Sequence, residues 1–219
     1  MGEGAQGDGT GEREGIRWLA GIRWELDGVV FARGIPPLEL ARRMGADPSV
    51  GAAPISGDEV WELEIESYRP GEDGDGVVRI GECGGWSFAI EYGDSTGADR
   101  LTEIARDGVE VVHLRPMPEH PPAMFDYARD GAAVCGFGLC EERWRWGQEP
   151  DLLLPELVEA RVLEADGITS AAPDGDHEAM RARSLGVVER RFGLDLPRAV
   201  LGELRLPAYA VRGTPGMRL

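Results

Sequence analysis

"VVRIGECGGWSFAIEYG", Val77 to Gly93, sets two apolar runs on either side of a Cys-Gly-Gly centre, and how those runs pair decides the fold. Both runs alternate with period two and read as strands. Their centre has the composition of a phosphate cradle, a metal ligand or a tight turn. A phosphate loop opens a helix, whereas the residues after Gly85 alternate as a strand, so the glycines are turn residues. A two-residue Gly84-Gly85 turn would put Val78 and Ile80 on the face opposite Trp86, Phe88 and Ile90, splitting the apolar residues between core and water. A three-residue loop of Cys83, Gly84 and Gly85 instead pairs Glu82 with Trp86, Ile80 with Phe88 and Val78 with Ile90. That register gathers the apolar side chains on one face, and it is the expectation.

Outward from the hairpin, residues 1–15 are glycine-rich and acidic without apolar periodicity, the composition of a disordered leader. One domain is expected over 16–211, with a loose tail at 212–219. Val29, Val30 and Phe31 mark a strand before Gly34. In "PPLELARRMGADPS" Pro36 and Pro37 preset a helical turn, Leu38, Ala41 and Met44 form its apolar stripe, and Gly45 stops it. Ser56 and Glu59 form a capping box ahead of Trp61, Ile65 and Tyr68, which predicts a helix over 57–68. The same stretch also alternates as a strand, and either way Glu62, Glu64 and Glu66 are a solvated face. "GEDGDG" is a loop without the ligand spacing of a calcium site.

Downstream, Leu101, Ile104 and Ala105 line a short helix ended by Gly108, and "VEVVHLRPM" is a strand. "AMFDYARDGAAVCGFGLC" is a second hairpin turning at Asp130-Gly131. "EERWRWG" alternates, with Trp144 and Trp146 on one side and Arg143 and Arg145 on the other. Helical periodicity returns in "EPDLLLPELVEARVL" and in "DHEAMRARSLGVVERRFG", where Leu185, Val188 and Phe192 form a stripe. "LDLPRAVLGEL" adds a short helix, and "LPAYAVRG" a final strand. Together these predict an α+β single domain: a mainly antiparallel sheet of about five or six strands with helices packed around it.

Composition narrows the chemistry. The chain has 219 residues and a formal net charge of -17, which repels nucleic acid and anionic lipid and steers basic partners inward. No nucleic acid or membrane partner is expected. All 23 basic residues are arginine, and lysine and asparagine are absent, which excludes every lysine-dependent phosphate loop, kinase site and Schiff base. No apolar run approaches the ~20 residues of a membrane span, and the amino terminus lacks a signal sequence. The expected location is cytoplasmic, where thiols stay reduced.

Cys83, His113, Cys135 and Cys140 lie on or near strands that are candidate neighbours, but short C-x-x-C pairs are missing and Cys135 and Cys140 face opposite ways in a regular strand. They read as small core residues, so no metal and no cofactor is expected. Nothing in the sequence supplies a base beside a cysteine nucleophile. His120 sits in a proline-rich loop and His177 at a helix start; Asp126 and Asp130 read as edge and turn residues. No catalytic residue emerges, and the chain leans away from an enzyme. Trp144, Trp146, Arg143 and Arg145 are the candidate interface, because tryptophan and arginine are the usual interface anchors; the alternative is that the tryptophans close one edge of the core.

Six motifs occur in order: "RRMGADP", "RIGECGGWSFAIE", "LTEIARDGVEVVHLRP", "FDYARDGAAVCGF", "RWGQEPDLLLPEL" and "GLDLPRAVL". Over about residues 16–211 they resemble an actinobacterial family catalogued as a domain of unknown function. The resemblance implies an intracellular α+β domain without assigned catalytic residues. The resemblance also implies an aliphatic residue in most relatives where Cys83 sits, which counts against a cysteine-dependent role. Three functions compete on this reading. A non-enzymatic interaction module binds a basic protein through the sheet face or the Trp144 and Trp146 edge. A small-molecule binder or enzyme uses a pocket between the sheet and the carboxy-terminal helices. A structural homo-oligomer uses an exposed sheet edge.

Overall fold

The protein was analysed as a computed structural model that describes residues 13–22, 26–47, 49, 53–60, 75–93, 96–116, 121–171 and 176–212. Among the described residues nine strands form one sheet: β1 (Gly28–Arg33), β2 (Pro54–Ile55), β3 (Asp75–Cys83), β4 (Trp86–Tyr92), β5 (Glu110–Arg115), β6 (Met124–Arg129), β7 (Ala132–Gly138), β8 (Arg145–Trp146) and β9 (Leu206–Arg212). Their order is β2-β9-β3-β4-β1-β5-β6-β7-β8, and every pairing is antiparallel. The α+β reading stands at this level, but the strand count of five or six does not. Two of the strands, β2 and β8, are two residues long, and pairing with β9 and β7 defines them.

The Val77–Gly93 hairpin corrects the predicted register. Cys83 pairs with Trp86, Ile80 with Ala89 and Val78 with Glu91, so the turn is the two-residue one. Gly84 and Gly85 sit at φ 59° and 80°, the left-handed pair that a tight primed turn requires. The rejected register assumed that one face meets water. In the structure both faces are covered, so splitting the apolar residues between them exposes none. Trp86, Phe88, Ile90 and Tyr92 join one core with Phe31, Val112, Phe125 and Phe137. Val78, Ile80 and Ala89 join a second with Val30, Ala32, Val111 and Ala128. All seven residues of β4 are buried.

Different helices close the two faces. The bulky face lies under α5 (His177–Phe192), which contributes Leu185, Val188 and Phe192, and under the carboxy-terminal Leu194, Leu196 and Val200. Asp176 caps α5 by accepting from the Ala179 amide, and Gly193 ends it at φ 67°, a start and stop that the sequence announces. The smaller face lies under α1 (Pro37–Arg43), α2 (Thr96–Asp99) and α3 (Leu101–Ile104); α4 (Leu154–Glu159) packs beside α5. On α1 the buried stripe is Leu40, Ala41 and Met44, while Leu38 is exposed, a correction of one position to the predicted stripe. The capping box exists: the Ser56 amide donates to Glu59 at 2.7 Å and the Glu59 amide to the Ser56 hydroxyl at 3.3 Å, opening a helical turn at 57–60. Trp61, Ile65 and Tyr68 lie outside the described residues, as do Glu62, Glu64 and Glu66, residues 1–12 of the predicted leader and 213–219 of the predicted tail.

Two further details tie sequence to packing. Gly81 faces Phe88 across the hairpin, and a Cβ there would lie 2.5 Å from the ring. Arg79, fully buried on the bulky face, donates to the Tyr92 hydroxyl at 3.0 Å and the Val200 carbonyl at 2.6 Å, and also to the Leu204 carbonyl. Alternation alone marks Arg79 as outward; it is inside because the carboxy-terminal segment crosses over it and supplies acceptors. A buried guanidinium is tolerated only with such partners.

The turn geometry is testable. Gly85 has open space around a Cβ, nothing lying within 4 Å, so Gly85→Ala reports backbone strain alone and should cost about 1–2 kcal/mol. Gly84→Asn should stay within about 0.5 kcal/mol, because asparagine accepts the left-handed region. Urea unfolding measures both.

Candidate functional site

The candidate interface residues fall into two groups. Arg145 is half-buried and locked: its Nε donates to Asp151 at 2.9 Å, and its terminal nitrogen reaches the Glu142 carbonyl at 2.7 Å and the Gly167 carbonyl at 3.1 Å. Trp146 crosses Gly136 of β7, where any Cβ would collide with the indole, and donates to Asp126 at 3.0 Å. The two are held on opposite faces of the sheet. Trp144 lies in the turn before β8, its amide bonded to the Glu141 carbonyl, and is 63 % exposed. Arg143, also exposed, lies with its guanidinium carbon 5.5 Å from the Trp144 ring centroid, within cation–π reach. The Gly167 turn, tied to Arg145, carries Ile168, which is 65 % exposed.

So the strand alternation predicted for "RWRW" holds only for Arg145 and Trp146. Trp144 closes no core edge: neither it nor Trp146 belongs to a core cluster.

On the smaller face runs a polar row that sequence reasoning missed. Glu91 of β4 and His113 of β5 are both fully buried, with Glu91 Oε2 2.8 Å from His113 Nε2. The other Glu91 oxygen accepts from the Gly97 amide at 2.6 Å. Room for the pair comes from Gly28 and Gly97, where a Cβ would strike the Glu91 carboxylate or its neighbours. Directly across β5 and β6, His113 faces Asp126, which receives Trp146 and lies 4.0 Å from Arg115. Asp126 is half-buried beside the pair, inside the sheet and not at its edge. Asp130 does occupy the hairpin turn, at φ 51°. Because Glu91 sits between Ile90 and Tyr92, period-two reading turns it outward; only the second covered face reverses that.

The three thiols lie apart. Cys83 faces Asp195 at 3.6 Å, Cys135 the Pro150 carbonyl at 3.5 Å and Cys140 the His177 carbonyl at 3.5 Å. Only Cys135 is buried; Cys83 and Cys140 are intermediate, which corrects their reading as core residues. Cys83 sits in the last position of a hairpin strand, packed against the rim of the core, and Cys140 at φ 76° past the end of β7. Burial pushes the Cys135 and Cys140 thiols up to about 11. Among the described residues no group of three or more histidine, cysteine or carboxylate side chains is placed to hold a metal ion. His177 is exposed at the start of α5, and His120 lies outside the described residues.

A cleft of about 750 Å³ opens between the strand ends and α5, on the bulky face. Leu26, Val29, Leu114, Leu139 and Leu185 are buried and form its floor. Beside it, buried Glu142 accepts from Ser184 of α5 and from the Cys140 amide, and burial raises its pKa above the ordinary glutamate value.

Comparison with known proteins gives one match. Residues 24–205, most of the chain and nearly all of the sheet, match a family of unknown function (DUF6461). No curated protein and no solved structure matches. No helix among the described residues is long and apolar enough to cross a membrane.

Two outcomes follow from the geometry. Glu91→Ala, which strands His113 and the Gly97 amide in the interior, should destabilise the chain by about 2–3 kcal/mol in urea unfolding. A thiol held at about 11 stays protonated at neutral pH, so alkylation of Cys140 at pH 7.5 should run on the order of a hundredfold slower than for a free thiol and accelerate as pH rises. Mass spectrometry after timed iodoacetamide treatment measures it.

Proposed function

Since the chain belongs to the DUF6461 family, matched over residues 24–205, and that family brings no activity with it, we propose from the geometry that the protein is a non-enzymatic interaction module for a basic protein. The observation that carries this reading is Trp144, 63 % exposed beside Arg143 and next in the chain to Arg145 and Trp146, whose side chains are hydrogen-bonded. A large aromatic ring with few rotatable bonds loses little entropy when a partner covers it.

Charge chooses the partner. A net charge of -17 gives a field that speeds the encounter with a basic surface and repels an acidic one. A neutraliser of a basic toxin is a special case of this reading. An actinobacterial, intracellular setting belongs to the same proposal, supported by a composition without lysine or asparagine, the residues whose codons are rich in A and T. The sheet faces, first candidates for contact, are covered by helices and loops. The catalytic alternative loses support from thiols that burial keeps protonated. For the homo-oligomer alternative, the outermost strands among the described residues, β2 and β8, are two residues long.

The test is retention of a partner from the source lysate on immobilised protein, with the partner then purified and titrated. A basic protein should bind at 50 mM salt, release at about 0.5 M, and lose at least tenfold in affinity with Trp144→Ala while Leu38→Ala leaves it unchanged. Retention of nothing, or binding indifferent to Trp144→Ala, would sink the reading.

A further inference from the structure

Away from the Trp144 edge, we propose that the cleft between the strand ends and α5 binds a small organic carboxylate with an apolar body. This inference is independent of the interaction reading, because its occupant is a small molecule and its residues are different. The cleft has the volume of a small-molecule site, about 750 Å³. Its floor of Leu114, Leu139 and Leu185 is buried and offers apolar contact without a hydrogen-bonding side chain.

Two arginines lining the cleft decide the head group. Arg115 ends β5, next in the chain to Leu114 of the floor, and its guanidinium makes no hydrogen bond among the described residues. Its Nε is buried without a partner, and its nearest carboxylate is 4.0 Å away on Asp126, which already accepts from Trp146. A guanidinium carries five N–H donors, and donors withdrawn from water without an acceptor are costly. The side chain keeps 23 % of its surface exposed, so an acceptor in the cleft can reach its terminal nitrogens. Arg181 lines the cleft from α5. Its Nε donates to the Ala20 carbonyl at 3.0 Å, which holds the side chain in place, neutralises no charge and leaves the terminal nitrogens without a hydrogen bond among the described residues. A ligand carboxylate supplies what Arg115 lacks in a charge-assisted bond, beside the second positive charge of Arg181, while the apolar body lies on the leucines. Glu141 and Glu178 also stand on the rim, but both are exposed. They keep their hydration, so their repulsion is weak and salt screens it.

Three probes of one shape, 4-phenylbutyrate, 4-phenylbutanol and 4-phenylbutylamine, separate head group from body. They are titrated into the full chain by calorimetry and methyl NMR at about 150 mM salt, where the overall acidic field is screened. The carboxylate should saturate with a Kd at least about fivefold below that of the alcohol, shifting the methyl signals of Leu114, Leu139 and Leu185, and the amine should bind no tighter than the alcohol. Arg115→Gln should bring the carboxylate to within about twofold of the alcohol and leave the Kd of the alcohol unchanged, a control that also reports an intact fold. Arg181→Gln should weaken the carboxylate at least about twofold, and it carries the test if Arg115→Gln does not fold. A carboxylate that fails to saturate or binds no tighter than the alcohol, an amine that binds tightest, shifts confined to other leucines, or a full carboxylate preference surviving either arginine variant would each overturn the assignment. Trp144→Ala should leave all three Kd values unchanged, so this assignment and the interaction reading can fail separately.

Discussion

Burial of the central strands on both faces is the constraint on which the rest of this structure depends. The Gly84-Gly85 turn produces it: two consecutive left-handed residues set β3 and β4 in a register that sends Trp86, Phe88 and Ile90 one way and Val78, Ile80 and Ala89 the other. Such a strand pair cannot stand at a solvated surface, because either face would expose a row of large apolar side chains at roughly 25 cal/mol per Å². It therefore demands two covers. The long α5 with the carboxy-terminal segment supplies one, and the short helices α1 to α3 supply the other.

Coverage on both sides also explains the charged interior. Arg79, Glu91 and His113 lie on central strands and are fully buried. Each is paired locally: Arg79 with the Tyr92 hydroxyl and the carbonyls of the returning carboxy-terminal segment, Glu91 with His113 and the Gly97 amide. Glycines at 28 and 97 give the carboxylate its space. Buried polar groups are expensive to leave unmatched, so these contacts fix how the covering segments sit on the sheet.

The two proposed surfaces differ in how far a sequence could show them. Trp144 and Arg143 stand out by residue type, since paired tryptophans and arginines in a short polar stretch are rare enough to notice. Which of the four residues is presented and which is locked depends on Gly136, Asp126 and Asp151, partners 6 to 20 positions away along the chain that the folded structure brings alongside. The cleft has no such marker. Its leucines come from both ends of the chain and its arginines, Arg115 and Arg181, resemble any other arginine of the sequence until the fold assembles them.

By itself the sequence determined the local elements: the strands around both hairpins, the turn at Asp130-Gly131, the Ser56 and Glu59 capping box, α5 with its stop at Gly193, the acidic field and the absence of any lysine chemistry. These follow from periodicity, capping and composition, which act within a few residues. Tertiary structure alone decided the hairpin register, the burial of Arg79 and Glu91, the two-residue strands β2 and β8 and the cleft. Period-two alternation distinguishes one face of a strand from the other but carries no information on whether the second face meets water, and that depends on helices encoded far away in the chain.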